Sequence, residues 1–288
     1  MALDKFYTFS FFKVGCQENM NRIKIKSLHY YPVKACAGLS VENAELTPRG
    51  ILNDRLYMFV DQDGYFLTQR DIPKMALIEP QVEKTGLLLK APSMEPVTIS
   101  KIENDSPLIV NVWDDYYPAI DQGDEAAQWI SSYLGINSRL VLMNKNFARR
   151  VDSKYALSET DQVSFADGYP FLLISQESLD DLNCRLENPL PMNRFRPNIV
   201  IEGCEPYQED KMKRIKVGDV IFDVVKPCIR CVVTTIDQKT LKKSKEPLAT
   251  LAAYRKSASG GVQFGQNLIH HSTGIISVDD TVEIIKSV

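Results

Sequence analysis

The sequence predicts an α+β fold rich in β-structure, built from two β-barrel-like domains with a few peripheral helices. Short segments of β-branched, aromatic and alternating apolar residues, bounded by turn residues, recur through most of the 288-residue chain. Segments with helical periodicity are few and short. A chain of this length is large for one domain and comfortable for two. We therefore expect an extension over residues 1–21, a first domain over 22–145 and a second over 146–288.

The first 21 residues are expected to lie outside both domains. Their apolar run, residues 6–14, is interrupted by Thr8, Ser10 and Lys13 and is too short to span a bilayer. It also lacks the basic flank and the small-residue cleavage site of a signal peptide. We expect either a disordered extension or an upstream start codon here, and neither a secretion signal nor a membrane anchor.

The first domain is predicted to consist mostly of strands and to end in one helix. Residues 22–31 alternate apolar and basic positions, as a half-buried strand does. Residues 56–60 and 65–68 flank Asp-Gln-Asp-Gly, a hairpin signal. Residues 124–134 place apolar side chains on one helical face, and Gly135 follows, so they predict a helix. Further short strands are predicted at 87–90, 97–100 and 109–113.

The second domain is predicted to begin after a long polar loop at residues 144–161. A loop of this length inside a compact chain is more often functional or mobile. Strands are predicted at 170–174 and 198–202, and between them Ser175 caps a helix that runs to about residue 186.

Two hairpins and a third helix complete the second domain. Residues 214–217 and 220–225 are predicted to pair through a Gly-Asp turn. Residues 275–278 and 282–285 are predicted to pair in the same way through an Asp-Asp turn. Pro247 is expected at the head of the last helix, which runs to about residue 255.

Composition and charge argue against several classes of protein. With 44% hydrophobic and 25% charged residues, the chain resembles an ordinary soluble globular protein. Its formal net charge of -3 provides no global field for nucleic acid or an anionic membrane, so any anion site must be local. Six cysteines in a chain this long do not form a disulfide scaffold and suit a reducing cytoplasm.

Residues 224–237 carry the clearest chemical signal. They read VVKPCIRCVVTTID, in which two β-rich runs enclose Cys228 and Cys231. Proline cannot donate to a ladder and holds the preceding residue extended, so the Lys-Pro pair at 226–227 is expected to end the first strand. The thiols are then expected on a loop between two strands. There the permanent charge of Arg230 favours a thiolate, the form that binds metal or attacks.

The residues of this loop leave four interpretations open. Two half-buried cysteines in a hairpin are the usual fate of free thiols. A structural zinc site needs four ligands, and the sequence has no second Cys-x-x-Cys and no His-x-x-x-His. A thioredoxin-like dithiol opens a helix, whereas residues 232–236 have the composition of a strand. The fourth is a single thiolate on a soft-to-borderline metal whose other ligands come from a bound cofactor.

Longer motifs, taken together, resemble the family of MOSC-domain proteins. They are YYPVKACAG at 30–38, NDRLYMFVDQDG at 53–64, FADGYPFLLIS at 165–175, NRFRPNIVIEG at 193–203, KPCIRC at 226–231 and FGQNLI at 264–269. The first two are similar to the MOSC N-terminal β-barrel domain and the others to the MOSC domain, in family order. Within the family, the chain most resembles the amidoxime-reducing component and the bacterial reductases of N-hydroxylated base analogues.

The resemblance implies a molybdenum-molybdopterin cofactor with one cysteine on the metal. That cysteine is the second of the pair, which is Cys231 here. The cofactor phosphate is well held by guanidinium forks and a lysine point charge. The positions that match the family's cofactor site are Lys34, Arg55, Arg196 and Asn198, with Arg230 beside the metal cysteine.

Two of these arginines carry further expectations. Arg196 precedes Pro197, so its backbone is expected to be extended and its side chain to project from the start of a strand. A surface salt bridge is the ordinary alternative for a lone arginine. For Arg55 that alternative is an ion pair with the adjacent Asp54.

Asp167 is the carboxylate that the resemblance places nearest the metal. Removal of an N-bound oxygen takes two electrons and two protons, so a proton relay is needed, and Asp167 is its candidate. The alternative is that Asp167 and Gly168 only form a turn. The chain also departs from the side chains that the animal enzymes place around the cofactor, at Ala35, Gly168, Tyr169, Ile229 and Asn267.

The activity that the resemblance implies is molybdenum-dependent reduction of small N-hydroxylated compounds such as amidoximes, hydroxylamines and N-hydroxylated bases. The sequence lacks ferredoxin cysteine spacing, so the expected electron donor is a separate 2Fe-2S or cytochrome b5-like protein with its reductase. Neither nucleic acid nor a membrane is expected as a partner. The alternatives are a cofactor carrier without turnover and a sulfur carrier that uses Cys228 and Cys231.

Overall fold

The computed structural model describes residues 22–103 and 107–288, so the expected extension over 1–21 lies outside the described residues. The first half consists almost entirely of short strands with one α-helix. Its elements are β1 (Lys24–Tyr30), β2 (Leu39–Val41), β3 (Asn43–Thr47), β4 (Gly50–Ile51), β5 (Tyr57–Asp61), β6 (Glu79–Val82), β7 (Gly86–Lys90), β8 (Val97–Ser100), β9 (Leu108–Val112), β10 (Asp115–Asp121), α1 (Asp124–Leu134) and β11 (Ser138–Met143).

The second half adds longer strands and two short helices. Its elements are β12 (Phe171–Ser175), α2 (Gln176–Asn183), β13 (Ile199–Glu202), β14 (Met212–Val217), β15 (Val220–Ile229), α3 (Leu248–Ala252), β16 (Gln263–His270), β17 (Gly274–Ser277) and β18 (Val282–Ser287). Short 3₁₀ helices lie at Pro73–Leu77, Met192–Arg194, Gln208–Lys211 and Val232–Thr235. The α+β, β-barrel-rich fold class is thereby confirmed. Within the described ranges, no helix is both long and apolar enough to cross a membrane.

The largest sheet joins strands from both halves of the chain. Its eight strands have the order β18-β14-β15-β16-β12-β13-β1-β2. β1 lies antiparallel to β13, with Leu28 opposite Ile199, and β13 lies parallel to β12. β3 pairs with β17 in a separate three-stranded sheet. The first-half strands β1 and β3 therefore share a core with the second half, in which Ile25, Leu28 and Leu46 pack with Phe171 and Phe222.

The rest of the first half forms its own core. A four-stranded sheet, β5-β11-β10-β9, and a three-stranded sheet, β6-β7-β8, enclose it together with α1. α1 has the predicted bounds, and its buried residues Ala126, Ile130 and Leu134 are spaced four residues apart along one face. Gly135 ends the helix with a left-handed backbone, φ 78°.

Several predicted elements differ from the structure. β15 does not end at the Lys-Pro pair but continues to Ile229, because Pro227 lies between two register shifts where a proline costs no ladder bond. Residues 232–235 form a 3₁₀ helix and not the predicted strand. The predicted hairpin of residues 275–285 is also wrong, because β17 pairs with β3 whereas β18 pairs with β14.

Candidate functional site

A cavity opens where five connecting segments meet: the loop after β1, the turn before β5, the loops before β12 and β13, and the end of β15. The space inside the cavity and its mouth is about 960 Å³. The structure brings all of the expected site residues to its wall: Lys34, Ala35, Arg55, Asp167, Gly168, Tyr169, Arg196, Asn198, Ile229, Arg230, Cys231 and Asn267.

Three of these residues have a left-handed backbone, which non-glycine residues seldom adopt. The φ angles are 66° at Ala35, 49° at Arg55 and 56° at Arg196. Each such position costs about 1–3 kcal/mol, and strained residues of this kind concentrate at functional sites. The extended backbone expected at Arg196 is therefore wrong. The chain must turn sharply there to pass from the 3₁₀ helix Met192–Arg194 into β13.

Arg55 and Arg196 lie against the same aromatic ring. Their guanidinium carbons are 4.3 Å and 4.2 Å from the centroid of the Tyr31 ring. Tyr31 is buried, and its hydroxyl donates to the carbonyl of Pro197 at 3.0 Å. Burial raises the pKa of Tyr31 to about 12, although both guanidinium charges oppose the shift. Tyr31 was not expected in the site, yet it fixes the position of two of its cations.

Arg55 both forms the expected alternative ion pair and faces the cavity. Its Nη1 donates to Asp54 Oδ2 at 2.6 Å and to Asn198 Oδ1 at 3.2 Å. Asn198 Oδ1 also accepts from the backbone amide of Leu172, while its Nδ2 donates to the carbonyl of His29. The Asn198 side chain thus makes three hydrogen bonds to other residues of the protein. Asn198 therefore positions Arg55 and joins β1, β12 and β13 behind the cavity wall.

Lys34 and Asp167 form an ion pair across the cavity. Lys34 Nζ donates to Asp167 Oδ1 at 2.6 Å and to the carbonyl of Phe165 at 2.8 Å. Burial lowers the pKa of Lys34, and the Asp167 carboxylate only partly opposes this. The partial desolvation of Asp167 at the cavity wall favours its protonated form, but the Lys34 ammonium and the nearby arginines outweigh this and hold the pKa of the carboxyl below its usual range. The Asp167 side chain is 66% exposed, so water in the cavity screens the pair.

Cys231 is exposed at the cavity wall, directly before the 3₁₀ helix Val232–Thr235. Its partner in the motif, Cys228, is half-buried and lies 3.0 Å from Arg230 Nη1. Arg230 Nη2 donates to the carbonyl of Phe195 at 2.7 Å, which fixes the guanidinium between the two loops. Of the two thiols, Cys228 is engaged by Arg230, whereas Cys231 is open to the cavity.

The cavity has more positive than negative charge. Lys34, Arg55 and Arg194 are paired with Asp167, Asp54 and Asp237, respectively. Three further cations line the wall without a carboxylate partner among residues 22–103 and 107–288: Arg70, Arg196 and Arg230. The buried Nε atoms of Arg194 and Arg230 also have no hydrogen-bond acceptor in the described structure. Such a wall fits an anion with several acceptor oxygens, such as a phosphate.

Several lining residues were missed by sequence reasoning. Phe66 and Arg70 lie beyond the Asp-Gly turn that follows β5, and Arg194 lies inside the motif that indicated Arg196. A second basic residue within NRFRPN was a usable signal for Arg194. No sequence signal indicated Phe66 or Arg70, because only long-range packing brings them to the wall.

Arg149, which lies in the predicted loop 144–161, was also missed as a site residue. Its side chain is 5% exposed, and its guanidinium donates to the carbonyls of Ser164, Ala166 and Asp167. Arg149 therefore holds the backbone segment that carries Asp167. Arg150, the next residue, is exposed.

Comparison with protein families accounts for most of the chain. Residues 22–137 match the MOSC N-terminal beta barrel domain, and residues 160–283 match the MOSC domain. Mitochondrial amidoxime-reducing component 1 of Mus musculus is 36% identical over 278 residues, which cover 91% of this chain and 82% of the relative. The chain belongs to the MOSC-domain family.

Two other relatives show the breadth of the MOSC-domain family. Mitochondrial amidoxime reducing component 2 of Bos taurus is 36% identical over 241 residues, covering 80% of this chain and 72% of the relative. Molybdenum cofactor sulfurase of Oryza sativa subsp. japonica is 32% identical over 270 residues, covering 86% of this chain but only 33% of the relative. The matched relatives therefore carry two different names, amidoxime reducing component and molybdenum cofactor sulfurase.

Three of the positions at which a departure from the animal enzymes was expected, Gly168, Tyr169 and Ile229, lie on the cavity wall. Ile229 is 46% exposed. A side chain added at Gly168 would meet open space. Tyr169 packs edge-to-face against Tyr155 at 6.0 Å, and burial raises the pKa of its hydroxyl.

Proposed function

We propose that this protein is a molybdenum-cofactor-dependent reductase of N-hydroxylated compounds, such as amidoximes, hydroxylamines and N-hydroxylated bases. One observation carries the proposal: the exposed thiol of Cys231 shares a cavity with three arginines that lack a carboxylate partner among the described residues. A thiolate is a suitable ligand for a soft metal. Guanidinium groups are suitable partners for a phosphate. The molybdenum-molybdopterin cofactor presents a metal and a phosphate in one molecule.

The residues present fit the cofactor. Cys231 would bind the metal, while Arg196, Arg230 and Arg70 would neutralise and hold the phosphate. When bound, the cofactor would supply the two electrons that convert an N-hydroxyl group and two protons into an N–H group and water. The relatives named amidoxime-reducing component support this choice of substrate class.

Lys34 and Asp167 are suited to divide the proton chemistry between them. Asp167 stays ionised, because its pKa is held low, so it can accept a hydrogen bond from an N–H or O–H group and orient the substrate. Lys34 has a lowered pKa and keeps its proton on Nζ against Asp167 Oδ1. Because Asp167 is ionised, Lys34 is the member of the pair that carries a proton to donate. The expected proton relay then consists of the pair, with Asp167 as acceptor and Lys34 as donor.

The first test is cofactor content followed by turnover. The purified protein is analysed for molybdenum and pterin, and benzamidoxime reduction to benzamidine is then driven with reduced methyl viologen. Cys231→Ala is expected to lose the metal and the activity. Cys228→Ala is the matched control in the same loop and is expected to retain most of both. Full activity in Cys231→Ala would overturn the assignment of the metal ligand.

A second candidate is a molybdenum-cofactor carrier or sulfur carrier without reductase turnover. The similarity to molybdenum cofactor sulfurase favours it, as does the position of Cys228 beside Arg230. A carrier would bind molybdenum and pterin but leave benzamidoxime unchanged. A sulfur carrier would accumulate a persulfide on Cys228 or Cys231 without molybdenum, which intact-protein mass spectrometry detects.

The proposed reaction needs an electron donor, and we infer a separate redox protein of the 2Fe-2S or cytochrome b5-like class. We also infer a reducing compartment, with the cytoplasm as the expected location. All five cysteines of the described ranges are free thiols, which supports this inference.

A further inference from the structure

A lysine-rich segment lies beside the cavity and has no role in the site described above. Residues 239–245 contain four exposed lysines, which we call the basic rim: Lys239, Lys242, Lys243 and Lys245. None of them forms an ion pair with a carboxylate of residues 22–103 or 107–288. The whole chain has a formal net charge of -3, so this local concentration of positive charge does not follow from the composition.

The basic rim is fixed to residues of the cavity wall. The side-chain amides of Gln238 and Gln69 exchange hydrogen bonds of 2.9 Å and 3.2 Å. Asp237 accepts from Arg194 at 2.6 Å, and both Gln69 and Arg194 line the cavity. The two hydrogen-bonded positions directly precede the lysines. The segment is therefore held at the mouth of the cavity.

Acidic residues of the same segment do not neutralise the lysines. Asp237 accepts from Arg194 and from the backbone amides of Lys239 and Thr240. Glu246 accepts from the backbone amide of Thr250. Lys243 Nζ lies 3.4 Å from the carbonyl oxygen of Arg70, and Arg70 itself extends the positive surface into the cavity.

Apolar side chains flank the thiol of Cys231, and the 3₁₀ helix Val232–Thr235 is bonded to the basic rim, because the carbonyl of Thr235 accepts from the amide of Ser244 at 3.1 Å. Ile229 is 46% exposed and Val232 is 52% exposed, and they lie two residues before and one residue after Cys231. An exposed apolar centre beside a charged rim is the composition of a transient protein interface. The charges of such a rim steer and orient the partner more than they hold it.

We propose that the basic rim docks a small acidic redox protein, with the apolar residues around Cys231 at the centre of the contact. This inference rests on the proposed function, because only a reductase must be resupplied with electrons at this cavity. Charge complementarity selects an acidic carrier and disfavours a basic one. The contact brings the carrier to the face that presents Cys231.

Direct binding tests the inference without reference to activity. The probe is the soluble haem domain of cytochrome b5, an acidic protein, and cytochrome c serves as a basic redox protein of similar size. The affinity of each for the full chain is measured by calorimetry at low and at near-physiological salt. We expect cytochrome b5 to bind at low salt and to weaken as salt rises, and cytochrome c not to bind.

A charge-reversed variant identifies the surface. The variant carries Lys239→Glu, Lys242→Glu, Lys243→Glu and Lys245→Glu. The control carries Lys84→Glu, Lys90→Glu, Lys213→Glu and Lys286→Glu, four exposed lysines that do not line the cavity. Both variants change the net charge equally. We expect the first to weaken cytochrome b5 binding about tenfold or more at low salt and the control to weaken it less than about threefold. Equal effects of the two variants, or no binding by the wild-type chain, would overturn the proposal.

Viologen-driven turnover separates this inference from the proposed function. Methyl viologen is a small cation that needs no docking surface, so the basic-rim variant is expected to keep its viologen-driven rate. Absence of viologen-driven benzamidoxime reduction by wild-type protein that contains molybdenum and pterin would refute the reductase function, whatever the result of the binding experiment. Normal viologen turnover with unchanged cytochrome b5 binding in the basic-rim variant would refute the docking surface alone.

Discussion

Lys34 Nζ and Asp167 Oδ1, from the two halves of the chain, lie 2.6 Å apart in the cavity. The loop after β1 supplies the lysine and the loop before β12 supplies the carboxylate. The two loops are brought together because β1 pairs with β13, the parallel neighbour of β12. The pair therefore depends on the sheet that the two halves share, and its charges control each other's titration.

Replacing Lys34 with methionine is expected to move the acid limb of activity to higher pH. The Lys34 ammonium is the main group that lowers the pKa of Asp167. Without it, the pKa of Asp167 rises, so the carboxylate is protonated at a higher pH than in the wild-type protein. The measurement is the pH profile of viologen-driven benzamidoxime reduction, expressed per bound molybdenum. Lys34→Arg keeps the positive charge and is expected to keep the wild-type profile; coincident profiles for all three proteins would contradict the role of the pair.

Tyr31 is expected to support the cofactor site through its ring and not through its hydroxyl. Tyr31→Leu removes both contacts with Arg55 and Arg196, each worth about 0.5–2 kcal/mol. Tyr31→Phe keeps the ring and loses only the bond to Pro197, worth about 1 kcal/mol. We expect molybdenum content to fall several-fold in Tyr31→Leu and to remain near wild type in Tyr31→Phe, as measured by elemental analysis. Equal losses in the two variants would assign the effect to the hydroxyl.

The adjacent arginines 149 and 150 provide a matched pair of variants. Arg149→Met removes three hydrogen bonds to the segment that carries Asp167, so we expect the free energy of unfolding to fall by about 2–4 kcal/mol. Arg150 is exposed, so Arg150→Met is expected to change the free energy of unfolding by less than about 0.5 kcal/mol. Urea denaturation measures both. A similar small effect in the two variants would mean that the buried guanidinium does not hold the loop.

Most residues of the cavity wall were indicated by the resemblance to the MOSC-domain family, because the matching motifs contain them. The peptides around Lys34, Arg196 and Cys231 each contain their own turn and their own functional side chain, and strand pairing then brings them together. The helix α1 could be predicted for the same reason, since its apolar face and its terminal Gly135 lie within one short segment.

The remaining differences arise from contacts that no local pattern encodes. Residues 232–235 have strand composition, but the Thr234 hydroxyl donates to the carbonyl of Cys231 and the Thr235 hydroxyl to that of Val232. These bonds satisfy the backbone in a tight turn and compete with a strand ladder. Gln69 is held at the wall by hydrogen bonds to Gln238, which lies 169 residues away in the chain, and to the carbonyl of Ala35.

Glu209 is a fully buried carboxyl outside the cavity, and it ties the start of α2 to the segment before β14. Its Oε1 accepts from the amide of Ser175 and the hydroxyl of Ser178, and its Oε2 accepts from the hydroxyl of Ser175. Burial raises the pKa of Glu209 above its ordinary value of 4.5, and the hydrogen bonds only partly oppose this.

The pKa of Glu209 is higher in the folded than in the unfolded state, so the folded protein binds more protons between the two values. Its contribution to stability is therefore fully present below pH 4.5 and is lost as pH rises through the folded pKa. Glu209→Gln stays neutral and keeps an acceptor for Ser175. We expect the free energy of unfolding of Glu209→Gln, relative to that of the wild-type protein, to increase by about 1.4 kcal/mol per pH unit. This increase is expected between the unfolded-state and folded-state pKa values of Glu209, and the difference then levels off. Urea denaturation of both proteins at about six pH values between roughly pH 4 and pH 9 measures this difference. Glu205 is exposed, so Glu205→Gln is a control that is expected to show no such trend. A difference in free energy of unfolding between Glu209→Gln and wild type that is independent of pH would mean that Glu209 does not titrate on unfolding.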